Sequence, residues 1–387
     1  MRSLLLASLI IPLGLTACAG NSVDLGTGVG DDGDPGSGGS GGGGGSDDGG
    51  GPNVDTTCQN HGETNIFPAG LRAYDIALSG TTLIAVSSPL GANAANTKLV
   101  TCPVTGCDQP TTLATPNRLA TEVEVEADGA NVYWTERSST DPSGSDRLVR
   151  AVTTGANRSV LLEYNVTTSF NPIRPVVAAD NRVSFYAYGR GANGLGELRT
   201  AASAASSTSV LTTMTTNVPV LATAEGYTAL WTDGPGATVD RRIRGLDPTG
   251  AEVAASPALV GVLSVATDGA AVMYSTLQSN IETTYACLAT DCTAPLDLNA
   301  TYGAAGNRFT FANGRAYFVA TISSCESQFP KYAFESCEVP DLLDGSCTPD
   351  VHAVGDFELI NMRSLMVGAT TAVFSSKLDG SVVRIDL

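Results

Sequence analysis

Short apolar runs recur along the chain after Leu71, each opened by a tight turn and followed by a polar loop and a second apolar run. The clearest instance is Ala127–Gly155, with a turn at Asp128-Gly129, an apolar strand Asn131–Glu136, a polar loop, and a strand Arg147–Val152. Aligned on that turn, seven strands fall in register: Thr82–Ser87, Asn131–Glu136, Arg182–Ala187, Tyr227–Thr232, Ala270–Ser275, Arg315–Ala320 and Thr371–Ser376. The span from Thr82 to Thr371 is 289 residues in six steps, about 48 per repeat. Before each strand lies an apolar segment ending in small or turn residues, as in DIALSG, VEVEADG and VVAADN. After each comes a third run, such as Lys98–Pro103, Glu197–Ala202 or Ser381–Asp386, and often a fourth, as in Ser159–Tyr164 and Thr208–Thr212.

Four short β segments per repeat, with turn signals between them and little helical periodicity, predict antiparallel all-β structure. A period of this length predicts a β-propeller, whose twisted four-stranded blades bury their faces against one another. The count favours seven blades, with six or eight compatible with a diverged repeat. The last repeat stops at Leu387 after three strands, and Thr64–Pro68 is an extra strand-like piece near the other end. If that piece completes the last blade, strands from both ends of the domain close the ring. An open array of β-sandwiches would instead leave the terminal repeats unpaired.

Tyr133-Trp134-Thr135-Glu136 and Leu230-Trp231-Thr232-Asp233, with Leu148-Val149-Arg150-Ala151 and Gly155, resemble the YWTD-type propeller repeat. Tyr274-Ser275-Thr276 and Phe374-Ser375-Ser376 carry it faintly, and elsewhere only the spacing is shared. YWTD propellers usually have six blades, so the count here departs from the family. The resemblance implies a protein-binding platform and transfers no site residue; Trp134 and Trp231 read as packing between blades.

Upstream of the repeats the pattern changes twice. Arg2 and the apolar run Leu4–Leu15 form a segment too short to span a bilayer and flanked as a secretory signal. Its end, Leu15-Thr16-Ala17-Cys18, resembles the bacterial lipobox, which implies diacylation of Cys18 and residues 1–18 as a lipoprotein signal peptide. Ala19 stands where an aspartate would favour inner-membrane retention, so the expected address is the cell envelope, the outer membrane before the inner. Residues 19–57 are dominated by Gly, Ser and Asp, cannot build a core, and read as a tether with a reach of ~35 Å. The domain proper is then 58–387.

The chain carries 39 acidic and 21 basic residues. Setting aside Arg2 and the seven tether aspartates leaves 32 against 20, a balance that argues against nucleic acid and against polybasic contact with lipid. The membrane is therefore contacted through the N-terminal lipid alone.

There are nine cysteines, eight without Cys18. Cys102–Cys107 and Cys287–Cys292 share a C-x4-C spacing at the end of the third strand of their repeats, and Cys337–Cys347 occupies the same place in the sixth. Hairpin turns bring such pairs within disulfide reach, and an extracytoplasmic address lets the bridges persist. Cys58–Cys325 remains as the fourth expected pair. Zinc is the rival reading, but two histidines and widely separated pairs make a poor metal site, and neither a metal nor another cofactor is expected.

No catalytic constellation emerges. His61 lies near the tether and His352 follows Asp350 by two residues, and the sequence places no serine beside either. Gly38–Gly42 fits G-x-S-x-G but lies in the tether, and Gly189–Gly194 fits G-x-G-x-x-G but lies between strands. Asp141 and Asp146 in the DPSGSD loop are possible calcium ligands, or simply solvated. One pattern points to a ligand. Arg72, Arg174, Arg308 and Arg363 all lie five to seven residues before the turn that ends the first strand of their repeat. Near a channel mouth they would form a positive funnel for a small anionic ligand; alternatively each pairs with a local acceptor. The expectation is a lipid-anchored binding or scaffolding propeller for an envelope or extracellular protein or a small anion, with an extracytoplasmic lyase or hydrolase as the alternative.

Overall fold

The computed structural model describes residues 62–387 apart from 90–95, 139–144, 165–172, 190–195, 215–216, 234–240, 260, 279–280, 305–308, 323–330, 356–361 and 377–379. The leader, the tether, Cys58, His61, Asp141, Arg308 and Cys325 fall outside these residues, as does the side chain of Arg363.

The fold is a seven-bladed propeller of four-stranded antiparallel sheets. Blade 1 contains β2 (Leu71–Ser79), β3 (Thr82–Pro89), β4 (Lys98–Pro103) and β5 (Thr111–Ala114). Blade 2 contains β6 (Val125–Asp128), β7 (Asn131–Arg137), β8 (Asp146–Val152) and β9 (Ser159–Tyr164). Blades 3 to 6 repeat the order with first strands β10 (Ile173–Ala179), β14 (Asn217–Ala224), β18 (Val262–Thr267) and β22 (Thr310–Ala312). Blade 7 is made of β26 (Met362–Val367), β27 (Thr371–Ser376), β28 (Val382–Asp386) and, as its outer strand, β1 (Glu63–Asn65).

That last pairing is the closure expected from Thr64–Pro68. Glu63, Thr64 and Asn65 face Ile385, Arg384 and Val383, and the Ile66 amide adds a bond to the Val382 carbonyl at 2.9 Å. First strands of successive blades lie beside one another all the way round.

The reason for the ring is visible in which strands are apolar. Second strands are buried on both faces, so they read as β-branched and aromatic runs such as NVYWTER, RVSFYA and RAYFVATI. Burial happens between blades, and seven separate apolar cores result, one for each pair of neighbours. Trp134 sits in the core between blades 1 and 2 and Trp231 in that between blades 4 and 5.

Three disulfides staple the turns between third and fourth strands: Cys102–Cys107, Cys287–Cys292 and Cys337–Cys347, with Cα separations of 5.2, 5.0 and 6.0 Å. Two short α-helices among the described residues depart from the all-strand reading. α1 (Leu298–Tyr302) is capped by Asp297, whose side chain accepts the Ala300 amide at 3.0 Å, and ends at left-handed Gly303. α2 (Val339–Asp344) carries Pro340 in its first turn and ends at left-handed Gly345, inside the loop closed by Cys337–Cys347. It follows directly on β24 (Lys331–Glu338).

Candidate functional site: the central channel

The first strands enclose a cavity of about 960 Å³ on the propeller axis. A first strand has a neighbour on one edge only, so the unpaired row of backbone N–H and C=O groups on its inner edge faces the channel. Register shifts occur in five of the seven, including Ala73/Asp75, Ile173/Val176 and Met362/Ser364. Such bulges re-aim side chains.

Two carboxylates meet the exposed amides. Asp75 accepts the Val125 amide of blade 2 at 2.9 Å on Oδ2, and the Ser364 hydroxyl of blade 7 at 2.6 Å on Oδ1. Its Oδ1 also takes the Ile76 amide at 3.0 Å. Glu124 repeats the arrangement one blade on, accepting the Val176 amide of blade 3 at 2.8 Å. Glu126, two residues further along and within β6, also lines the cavity.

The charge of Asp75 acts on both glutamates. Burial, then the charge of Asp75, pushes the Glu124 carboxyl up to about 7, against the opposing pull of the Val176 amide and the Arg174 guanidinium. Burial, reinforced by Asp75 and Glu124, holds Glu126 well above the ordinary carboxylate range. At the other end of the cavity Asp180, Glu225 and Asp268 occupy the turns between first and second strands. There the Glu225 amide donates to Asp180, and Asn313 Nδ2 donates to the Gly368 carbonyl at 3.0 Å, again blade to blade.

Among the described residues the cavity wall carries carboxylates and no lysine or arginine. Arg72 and Arg174 stand at the starts of β2 and β10, the mouth end, rather than in that wall. Arg72 is half-buried with its backbone pressed against Gly380, and Arg174 is exposed. Arg363 is in β26, also at the mouth end, and Arg308 is outside the described residues. Arg72 and Arg174 thus stand at the rim of a channel whose described wall is acidic. The acids were legible as charges inside otherwise apolar runs, DIALSG and VEVEADG, at a shared distance from the turn.

Other sequence candidates resolve into structural roles. Asp146 is buried and paired with Arg118 and Arg137, so guanidinium groups occupy the carboxylate considered for calcium. His352 Nε2 lies 2.8 Å from Ser336 Oγ, yet Ser336 is fully buried and also receives Arg315 Nε at 2.9 Å. Burial lowers the His352 pKa, and its ring lies about 6 Å from those of Tyr317 and Phe334. A serine with no path to substrate is a brace, not a nucleophile.

No protein-family model matches the chain, and no curated protein sequence matches it. Solved structures do. The β-propeller domain of the trilobed protease from Pyrococcus furiosus aligns over 82% of this chain and 95% of its own, with a TM-score of 0.54 at 9% identity. An oligogalacturonate lyase in complex with manganese aligns over 84% and 93%, with a TM-score of 0.53 at 12% identity. A prolyl endopeptidase aligns over 80% of this chain and 47% of its own, with a TM-score of 0.52 at 14% identity. What is shared is the propeller fold. The YWTD resemblance has no family model behind it, and the ring has seven blades where that family usually has six.

Proposed function

We propose that this protein is an extracytoplasmic binding propeller, held at the bacterial envelope through Cys18, whose mouth face docks a protein partner. One observation carries the docking face. Of the ten exposed large apolar side chains among the described residues, Leu119 lies in the segment leading into β6, Tyr188 just after the second strand of blade 3, Leu263 at the start of β18, and Leu277 and Ile281 on either side of the turn between the second and third strands of blade 5. Ile281 is 68% exposed at the tip of the hairpin formed by β19 (Ala271–Gln278) and β20 (Ile281–Leu288). Exposed apolar groups around a concave mouth are the features of an interaction face. The three disulfides favour an oxidising compartment, and no described helix is long and apolar enough to cross a membrane.

Protein is favoured over a small anion because the described channel wall is acidic. Affinity capture of the full chain, solubilised from envelope membranes, tests this: the reading expects one partner in stoichiometric amount, and recovery of the chain alone overturns it.

A second reading rests on Glu124. A carboxyl held at about 7 inside a cavity is poised to accept or return a proton near neutral pH, as an extracytoplasmic lyase or hydrolase would need. Turnover of a glycan or peptide library abolished by Glu124→Gln would support it.

A further inference from the structure

Six of the seven blades take their outer strand from the same stretch of chain as the other three; blade 7 takes its outer strand, β1, from the opposite end. The seam between blades 7 and 1 is therefore the one whose closure depends on a strand pairing, β1 on β28, where the other neighbouring blades are joined by continuous chain. Several described contacts cross or complete it. β1 pairs with β28, the Ala73 amide donates to the Gly380 carbonyl at 2.8 Å, Ser364 bonds Asp75, and the Cys107 amide donates to the Ile66 carbonyl at 3.0 Å.

The last contact joins the strap to a disulfide. Ile66 and Phe67, which continue directly from β1, are buried in the same core as Cys102 and Cys107. The sister bridges are built differently. The Cys347 amide turns back onto Asp341 of its own loop at 3.1 Å, and Cys287–Cys292 lies in a core between two blades that are each continuous in sequence.

We propose that the Cys102–Cys107 bridge is the clasp of the ring: it fixes the Cys107 amide where the strap Glu63–Phe67 docks, and its loss frees the strap and loosens the seam. Because the channel acid Asp75 is held from across that seam by Ser364, opening the clasp also reaches the channel wall. Strap, seam and channel form one coupled unit.

Hydrogen–deuterium exchange on the full chain tests this, comparing the parent with Cys102→Ser/Cys107→Ser and with Cys287→Ser/Cys292→Ser. Loss of the first bridge is expected to speed exchange in β1 and β28 about ten-fold while β7 is unchanged, as local opening predicts. Loss of the second is expected to leave β1 and β28 at parental rates. Unchanged protection of β1 and β28 in the first variant, or equal loss in both, overturns the clasp. Should the first variant not fold, Phe67→Ala with all bridges intact reads the coupling in reverse. A phosphine reductant is then expected to cleave Cys102–Cys107 before the other two bridges; cleavage no earlier than Cys287–Cys292 overturns the proposal.

Discussion

Ser364 donates its hydroxyl to Asp75 at 2.6 Å, joining the last blade to the first across 289 residues of sequence. The same carboxylate caps the Val125 amide of the second blade, so one side chain ties three blades together. Asp75→Ala leaves the Val125 and Ile76 amides and the Ser364 hydroxyl without their acceptor. Unsatisfied groups of this kind cost about 1–3 kcal/mol each when buried, so with three groups a loss of at least about 3 kcal/mol is expected from denaturant titration. Asp75→Asn, which keeps one oxygen, is expected to lose less.

Glu124 sets a pH dependence. Its folded pKa, about 7, lies above its ordinary value, so between pH 4.5 and 7 the folded state holds more protons than the unfolded chain. Stability from this group is then fully present below about pH 4.5 and is lost as pH rises through 7. Glu335, raised to about 7 by burial, acts in the same direction. Melting curves from pH 4.5 to 8 are expected to show a downward slope that Glu124→Gln flattens. An identical slope in the variant would remove Glu124 from the account.

The Tyr-Trp-Thr-Glu hairpin is expected to be a major local anchor. Trp134 is 1% exposed, its indole donates to Glu136 Oε2 at 2.9 Å, and Glu136 in turn pairs with Arg158, whose guanidinium lies 6.0 Å from the indole centre. Trp134→Ala should cost about 3–5 kcal/mol, as large-to-small changes in a packed core do. Glu136→Gln should cost less, since an amide oxygen still accepts from the indole.

Non-reducing peptide mapping is expected to recover Cys102–Cys107, Cys287–Cys292 and Cys337–Cys347, together with Cys58–Cys325, which we propose as a fourth bridge. A free thiol at Cys58 or Cys325 in protein purified without reductant would remove that fourth pair.

Much of the architecture was legible because it rests on local signals. The turn at Asp128-Gly129 and the run NVYWTER specify a hairpin wherever they occur, and seven spaced copies specify a ring; Arg182–Ala187, Lys98–Pro103 and Ser159–Tyr164 coincide with observed strands. The helices were audible but short: Asp297 as cap with Gly303, and Pro340 with Gly345, are ordinary start and stop signals inside loops dominated by cysteine spacing. The channel was harder to read. Asp75, Glu124 and Ser364 are brought together by blade packing, not by sequence neighbourhood, and only the ring tells which face of a first strand meets the axis. Spacing located Arg72 and Arg174 at the mouth end but could not say that carboxylates line the wall behind them.

The central claim, a binding propeller that docks a protein at its mouth, is tested most directly by affinity capture of the full chain from envelope membranes in three forms: parent, Leu277→Asp/Ile281→Asp at the mouth, and Val210→Asp on the outer strand of blade 3. The same stoichiometric partner is expected with the parent and with Val210→Asp, and is expected to be lost from the mouth variant. Recovery of that partner with all three forms, or with none, would contradict it.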